Sequence, residues 1–363
     1  MFVDRAQVLG HKMKQIRNTI IRAGLDALYF SGAHRVLRPF FGGVGTIFML
    51  HHVRPAHAGA FQPNRHLEIT PDFLRATLAY LRATDVDIVT SDEMSRRLTE
   101  RDFTRRFACF TCDDGYRDNR DHMLPAMRDF DAPFSVFVAS DFASGTGRLW
   151  WVALERVVAQ ASTLEAPIDG RMVRIATASL PEKEMGFDRL HGWLRSLDET
   201  DLRREMTALC QQAGIDGETI SRELCLSWDE LKPFAADPLV TIGAHTLSHC
   251  NLARQTEAVV THELTASRAN IENALQKPAL HLAYPYGDRA AAGSREFALA
   301  QAAGFQTAVT TRPGVIAAEN STLLTALPRV SLNGNYQDKR YLPVLTSGAA
   351  TAMWNGFQRT GQG

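Results

Sequence analysis

Asp113 and Asp114 are adjacent, and His245 and His249 stand four residues apart; these are the side chains whose types and spacing could do chemistry. Two neighbouring acids repel each other and are costly to desolvate, so a pair beside a buried strand needs a cation, a shared proton or open water. The plainer alternative makes Asp113 the cap of the next helix and leaves Asp114 in a solvated turn. If the segment His245-Thr246-Leu247-Ser248-His249 is a helical turn, its two imidazoles project from one side and can share a metal ion. Two imidazoles and one carboxylate, with a position left for water, form a catalytic divalent-metal site of the zinc type. His-x-x-x-His alone is weak, because structural histidines share that spacing. It gains force beside Asp113-Asp114-Gly115 and the turn Tyr284-Pro285-Tyr286-Gly287.

Each of these motifs directly follows an apolar run: Phe107–Cys112, Leu239–Ile242 and Leu280–Tyr284. Such runs read as buried strands, and an α/β enzyme keeps its chemistry at the C-terminal ends of strands. Further strands are expected at Val44–Leu50, ending in His51-His52, and at Val86–Thr90, Phe134–Val138, Thr307–Thr310 and Ala326–Leu332. Helical patterns lie between them. Thr70-Pro71-Asp72 starts one of these, with Thr70 as cap and Pro71 at the first helical position. Strand, helix, strand in this order signals a parallel sheet. Seven or eight such units favour a closed or slightly open barrel, with a doubly wound open sheet as the second choice. Residues 141–226 break the rhythm and read as a helical insertion on the rim, in which Trp150-Trp151 serve core packing rather than sugar stacking. The expected organisation is a helical leader over residues 1–40, a barrel over 41–340 carrying that insertion, and a tail over 341–363.

A chain of 363 residues, 45% hydrophobic, can bury a substantial core. Its 40 basic and 40 acidic residues balance, which excludes a nucleic-acid surface as the simple expectation. The five cysteines are scattered and odd in number, a pattern suited to reduced thiols in the cytoplasm. Cys109 and Cys112 lie three apart on one strand, so they face opposite ways and do not chelate together. No secretory signal and no run of the ~20 apolar residues needed to cross a bilayer is evident. Residues 11–40 mix basic and apolar side chains. They read as a helix packed on the domain or, as the second choice, an interfacial helix at a membrane.

Taken together, the motifs resemble the polysaccharide deacetylase family, the carbohydrate esterases that share a homology domain with the nodulation chitooligosaccharide deacetylases. The family's Thr-Phe-Asp-Asp-Gly is similar to Thr111-Cys112-Asp113-Asp114-Gly115, its His-Ser/Thr-x-x-His to His245–His249, and its Phe-Ala-Tyr-Pro-Tyr-Gly variant to Leu282-Ala283-Tyr284-Pro285-Tyr286-Gly287. The resemblance spans residues 44–335 without the insertion. It implies a distorted (β/α)7–8 barrel and metal-dependent removal of acetyl groups, N-acetyl first, from a saccharide such as a chitooligosaccharide or another N-acetylhexosamine glycan.

By the same resemblance, Asp113 is the general base. Asp114, His245 and His249 hold a divalent ion, zinc or else cobalt or a similar ion, and the backbone N–H of Tyr286 stabilises the oxyanion. Two departures stand out. Ala283 replaces the motif's arginine, and Arg329 is the candidate to orient Asp113 in its place. The late Leu-x-His motif is missing; Phe48-Met49-Leu50-His51 is similar to the strand that supplies this histidine in circularly permuted members. His51 is therefore the expected general acid, against the alternative that His51 or His52 merely caps a strand. A metal-dependent amidase acting on a small non-sugar amide and a catalytically silent glycan-binding protein are the other two readings.

Overall fold

The computed structural model describes residues 5–356, with side chains from Ile16 onward; the outermost parts of the expected leader and tail, 1–4 and 357–363, lie outside the described residues. Eight parallel strands carry the fold: β1 (Gly45–Leu50), β2 (Val86–Ile88), β3 (Arg106–Cys112), β4 (Phe134–Val138), β5 (Val240–Ala244), β6 (His281–Ala283), β7 (Thr307–Pro313) and β8 (Leu327–Ser331). Seven close a ring in the order β1-β3-β4-β5-β6-β7-β8 and back to β1. Closure comes from β1, which pairs with β3 from Gly45↔Phe107 to Leu50↔Cys112 on one edge and with β8 at Phe48↔Val330 on the other. The eighth strand, β2, shares the second edge of β3 with β4: β2 covers Arg106–Ala108, and β4 takes over from Phe110. The expected closed barrel is thus one of seven strands with a short flanking eighth.

Side chains alternate across each strand. On β1 and β3, Phe48, Leu50, Phe110 and Cys112 face the surrounding helices in the main core. Ile47 and Cys109 belong to a separate cluster with Phe137, Ala283, Val309 and Leu327, which fills the barrel interior. Cys109 and Cys112 accordingly fall in different clusters, and all five cysteines are free and buried. The helix after Thr70 forms as its cap and proline dictate, over Pro71–Arg82, with Thr70 Oγ1 accepting from the Phe73 N–H at 3.2 Å.

Residues 141–226 supply the helices Trp150–Gln160, Leu180–Ser196 and Glu199–Ala213, but the segment is not wholly helical. Thr163–Ile168 and Arg171–Ala176 form an antiparallel hairpin around Asp169-Gly170, both at positive φ. The insertion builds its own apolar cluster, which takes in Tyr116 and Tyr286 from the barrel rim. The helices Arg5–Phe30 and Ala33–Phe41 share a small core with the C-terminal helices Tyr341–Thr346 and Ala349–Trp354, built on Leu25, Leu28, Tyr341, Val344 and Ala349, and the first of them also touches Leu180–Ser196 of the insertion.

Candidate active site

The alternation that fills the barrel also aims the polar side chains. Asp113 continues the inward row of Cys109 and Thr111, and His51 continues that of Ile47. Arg329, in the middle of β8, points inward and is only 1% exposed. It meets Asp113 as a fork on a carboxylate, Nη1 to Oδ1 and Nη2 to Oδ2, both at 2.7 Å. Nε donates to Thr310 O (2.8 Å) and Nη1 also to Thr111 Oγ1 (3.1 Å), so the guanidinium is held from three sides. Burial opposes the charge on Asp113, but Arg329 outweighs it and holds the carboxyl below its ordinary range.

Asp114 would point outward if β3 simply continued. Instead Asp114 and Gly115 both take positive φ, 73° and 67°, and the chain turns so that the second carboxylate also enters the site. The two histidines are brought together in a comparable way, and not by the helical turn that their spacing would have allowed. Residues 245–249 form a bend in which Thr246 (φ 63°) and His249 (φ 61°) are left-handed. Backbone strain thus gathers at the chemistry. Glu263, from the helix Glu257–Leu275, fixes the bend by accepting from Leu247 N, Ser248 N (both 2.9 Å) and Ser248 Oγ (2.7 Å).

Nε2 of His245 and Nε2 of His249 lie 3.4 and 3.3 Å from Asp114 Oδ1, and one donor atom from each of the three residues falls within 4.8 Å of the others. His245 Nδ1 is 2.7 Å from Ala283 O; as the N–H that donates there, it leaves Nε2 with a free lone pair facing Asp114. Asp114 Oδ1 is buried and has no hydrogen-bond partner. Burial disfavours its charge, yet the two imidazoles hold its carboxyl well below the usual range. A buried carboxylate oxygen without a donor, facing two imidazole nitrogens, fits a divalent cation with nitrogen and oxygen ligands.

His51 Nε2 lies 3.9 Å from Asp113 Oδ2, and with 16% of its side chain exposed His51 is the most open of these groups. Burial pushes its imidazole below the ordinary value, with Asp113 opposing. His52, of opposite parity, leaves the site: its ring stacks on Tyr116 and its Nδ1 is 2.6 Å from Asp118 Oδ2. Tyr286 lines the other wall, its ring centroid 5.3 Å from that of His249. Pro285 O accepts from Gly287 N at 2.6 Å across a γ-turn at Tyr286 (φ 60°), so the N–H of the planar Pro285–Tyr286 peptide points away from that turn. Gly287 is obligatory there, because its φ is also 60° and a Cβ would come within 2.7 Å of Thr311 N.

All seven residues singled out from the sequence therefore meet around one point on the C-terminal rim. Sequence reasoning missed the groups that support them. Trp151 packs on His249 (4.8 Å between centroids), Phe142 stacks on the same ring (5.5 Å), and Trp150 Nε1 donates to the Tyr286 hydroxyl (2.9 Å). The Tyr116 hydroxyl and the Trp151 indole N–H are buried without partners, with Tyr116 close to both Asp114 and Trp151. Glu263 gave no signal beyond being an acid on a helix.

Residues 193–308 match the family model described as polysaccharide deacetylase, a stretch that contains His245, His249 and Tyr286. Over that stretch the chain is similar to the polysaccharide deacetylases. Solved structures agree on the fold. The Streptococcus pyogenes deacetylase PplD in complex with acetate is similar at 15% identity and a TM-score of 0.54, over 80% of this chain and 92% of that one. IcaB from Ammonifex degensii shares 17% identity at a TM-score of 0.52, over 84% and 98%. BC0361, a polysaccharide deacetylase from Bacillus cereus, shares 15% at 0.52, over 83% and 68%. No curated protein sequence matches the chain.

Proposed function

We propose that the chain is a metal-dependent deacetylase that hydrolyses N-acetyl groups on a saccharide of N-acetylhexosamine units, a chitooligosaccharide being the simplest case. The observation that carries this reading is the meeting of an arginine-clamped carboxylate, Asp113, with the triplet Asp114, His245 and His249 on one barrel rim. A zinc-type ion held by that triplet would supply a Lewis acid that makes water easier to deprotonate. Asp113, kept ionised by Arg329, accepts the proton as the water oxygen bonds to the acetyl carbon. The Tyr286 N–H donates to the oxygen on which negative charge develops.

As the carbon–nitrogen bond breaks, the leaving amine nitrogen takes a proton from His51. Because burial holds His51 neutral at pH 7, it must first gain that proton, and Asp113 is the neighbouring carrier. Acetate and a free amino sugar result, and the proton taken from water has passed to the amine. The five free, buried thiols support a cytoplasmic setting and an intracellular saccharide as substrate.

The test is acetate release by metal-replete protein across N-acetylated and O-acetylated saccharides, with Asp113→Asn as control. Release from N-acetylated saccharides that Asp113→Asn abolishes is expected. Turnover of small cyclic amides without any acetate from saccharides would favour an amidase and defeat the proposal.

A further inference from the structure

Eleven large hydrophobic side chains are exposed among the described residues, and seven of them gather on three helices that pack on one another. Ile16, Ile20 and Phe30 lie on Arg5–Phe30, Val36 and Phe40 on Ala33–Phe41, and Met353 and Trp354 on Ala349–Trp354. Ile20, Phe30, Val36 and Phe40 are each 64–70% exposed. The first helix is apolar on two faces. Ile21, Leu25, Leu28 and Tyr29 pack against the body, while Ile16, Ile20, Ala23, Ala27 and Phe30 form an exposed stripe at helical spacing.

Charge follows the same segment. Residues 5–41 hold seven Lys and Arg against one acid, Asp26, in a chain whose net charge is zero. Asp26 is occupied by Tyr341 Oη (3.1 Å) and Arg340 Nη1 (3.7 Å). Arg17, Arg22, Arg35 and Arg38 are all exposed on these helices; Arg22 Nη2 donates to Asn335 O at 2.9 Å, and the Arg17 guanidinium lies over the Trp354 ring at 5.5 Å. No helix among the described residues is long and apolar enough to cross a membrane.

We infer that this helical face is a docking surface for an anionic lipid bilayer, lying in the headgroup layer with its apolar side chains inserted and its arginines on lipid phosphates. Exposed aliphatic and aromatic residues flanked by arginines suit an interfacial helix, and Trp354 suits the interface itself. A second copy of the chain fits less well, because it would bring cationic faces of one sign together. The helix Ala33–Phe41 leads into the N-terminal end of β1, the end of the barrel opposite the catalytic rim.

Co-sedimentation tests this with vesicles of phosphatidylcholine alone and of three parts phosphatidylcholine to one part phosphatidylglycerol. The intact protein should bind the anionic vesicles at least tenfold more tightly, since each basic residue near such a surface contributes roughly fivefold, and salt should weaken the binding. Ile16→Glu with Ile20→Glu, and separately Arg17→Glu with Arg35→Glu, should each weaken it at least tenfold while leaving the thermal transition and acetate release from a soluble saccharide unchanged. As an independent reading, tryptophan emission should shift to the blue on anionic vesicles in the intact protein and not in Trp354→Phe. Equal affinity for both vesicles, no binding to either, or undiminished binding by Ile16→Glu with Ile20→Glu overturns the inference. Loss of self-association in the same variants without any vesicle binding would assign the face to a second copy and overturn it too.

Discussion

Replacing Arg329 with methionine would leave Asp113 without its hydrogen-bonded counter-charge. The guanidinium makes four hydrogen bonds there: two to the Asp113 carboxylate at 2.7 Å, one to Thr310 O and one to Thr111 Oγ1. Methionine fills much of the volume but supplies no donor and no charge. Breaking a buried ion pair from one side costs about 3–5 kcal/mol, because the partner charge is left uncompensated. Asp113 can escape that cost only by taking up a proton. Its carboxyl is held low chiefly by Arg329 against burial, so in Arg329→Met only His245 and His51 still oppose burial and the value rises.

The sign follows directly. A carboxyl whose folded value is depressed contributes stability above its unfolded value and loses it as pH falls through the folded one; Arg329→Met removes that contribution at neutral pH. The acid limb of kcat/KM for acetate release should therefore move up toward neutrality, and denaturant unfolding at pH 7 should show the stability loss. Arg329→Lys keeps a charge without the fork and should fall between the two. An unmoved acid limb in Arg329→Met, with kcat/KM close to that of the parent, would refute the assignment of Asp113 as a base tuned by Arg329.

Two other residues give sharp tests. Glu263→Ala should weaken metal binding roughly 10- to 100-fold by freeing the bend that carries His245 and His249, and Glu263→Gln should recover most of it; titration with zinc reads both, and unchanged affinity in Glu263→Ala would remove Glu263 from a positioning role. His51→Gln should lower kcat by roughly 10²–10⁴ on an amide, far less on an ester with a good leaving group, and leave metal content intact. Equal losses on both substrates would sink His51 as the proton donor to nitrogen.

Much of this site was legible in the sequence because strands carry their own orientation code. Parity along Val44–Leu50 already separates His51 from His52, since residues of one parity face the interior with Ile47. Arg329 was legible by the same alternation once Ala283 left Asp113 without an arginine. How His245 and His249 come together was not legible: four-residue spacing would suit a helical turn, whereas Thr246 and His249 adopt left-handed backbone that no propensity scale assigns to them. The hairpin at 163–176 was readable and overlooked. Asp169-Gly170 between alternating residues is a strong hairpin signal, and the helical stretches on both sides hid it. Trp150 and Trp151 were legible only as core. Their contacts with Tyr286 and His249 depend on how the insertion folds over the rim, which nothing local in the chain encodes.

The central claim is that Asp114, His245 and His249 together bind one ion on which acetyl hydrolysis depends. It is tested most directly by measuring metal content and acetate release on the same sample before and after chelation and after zinc is added back. One divalent ion per chain, with activity lost and regained in step with it, is the predicted result. Full acetate release from the stripped protein would contradict the account.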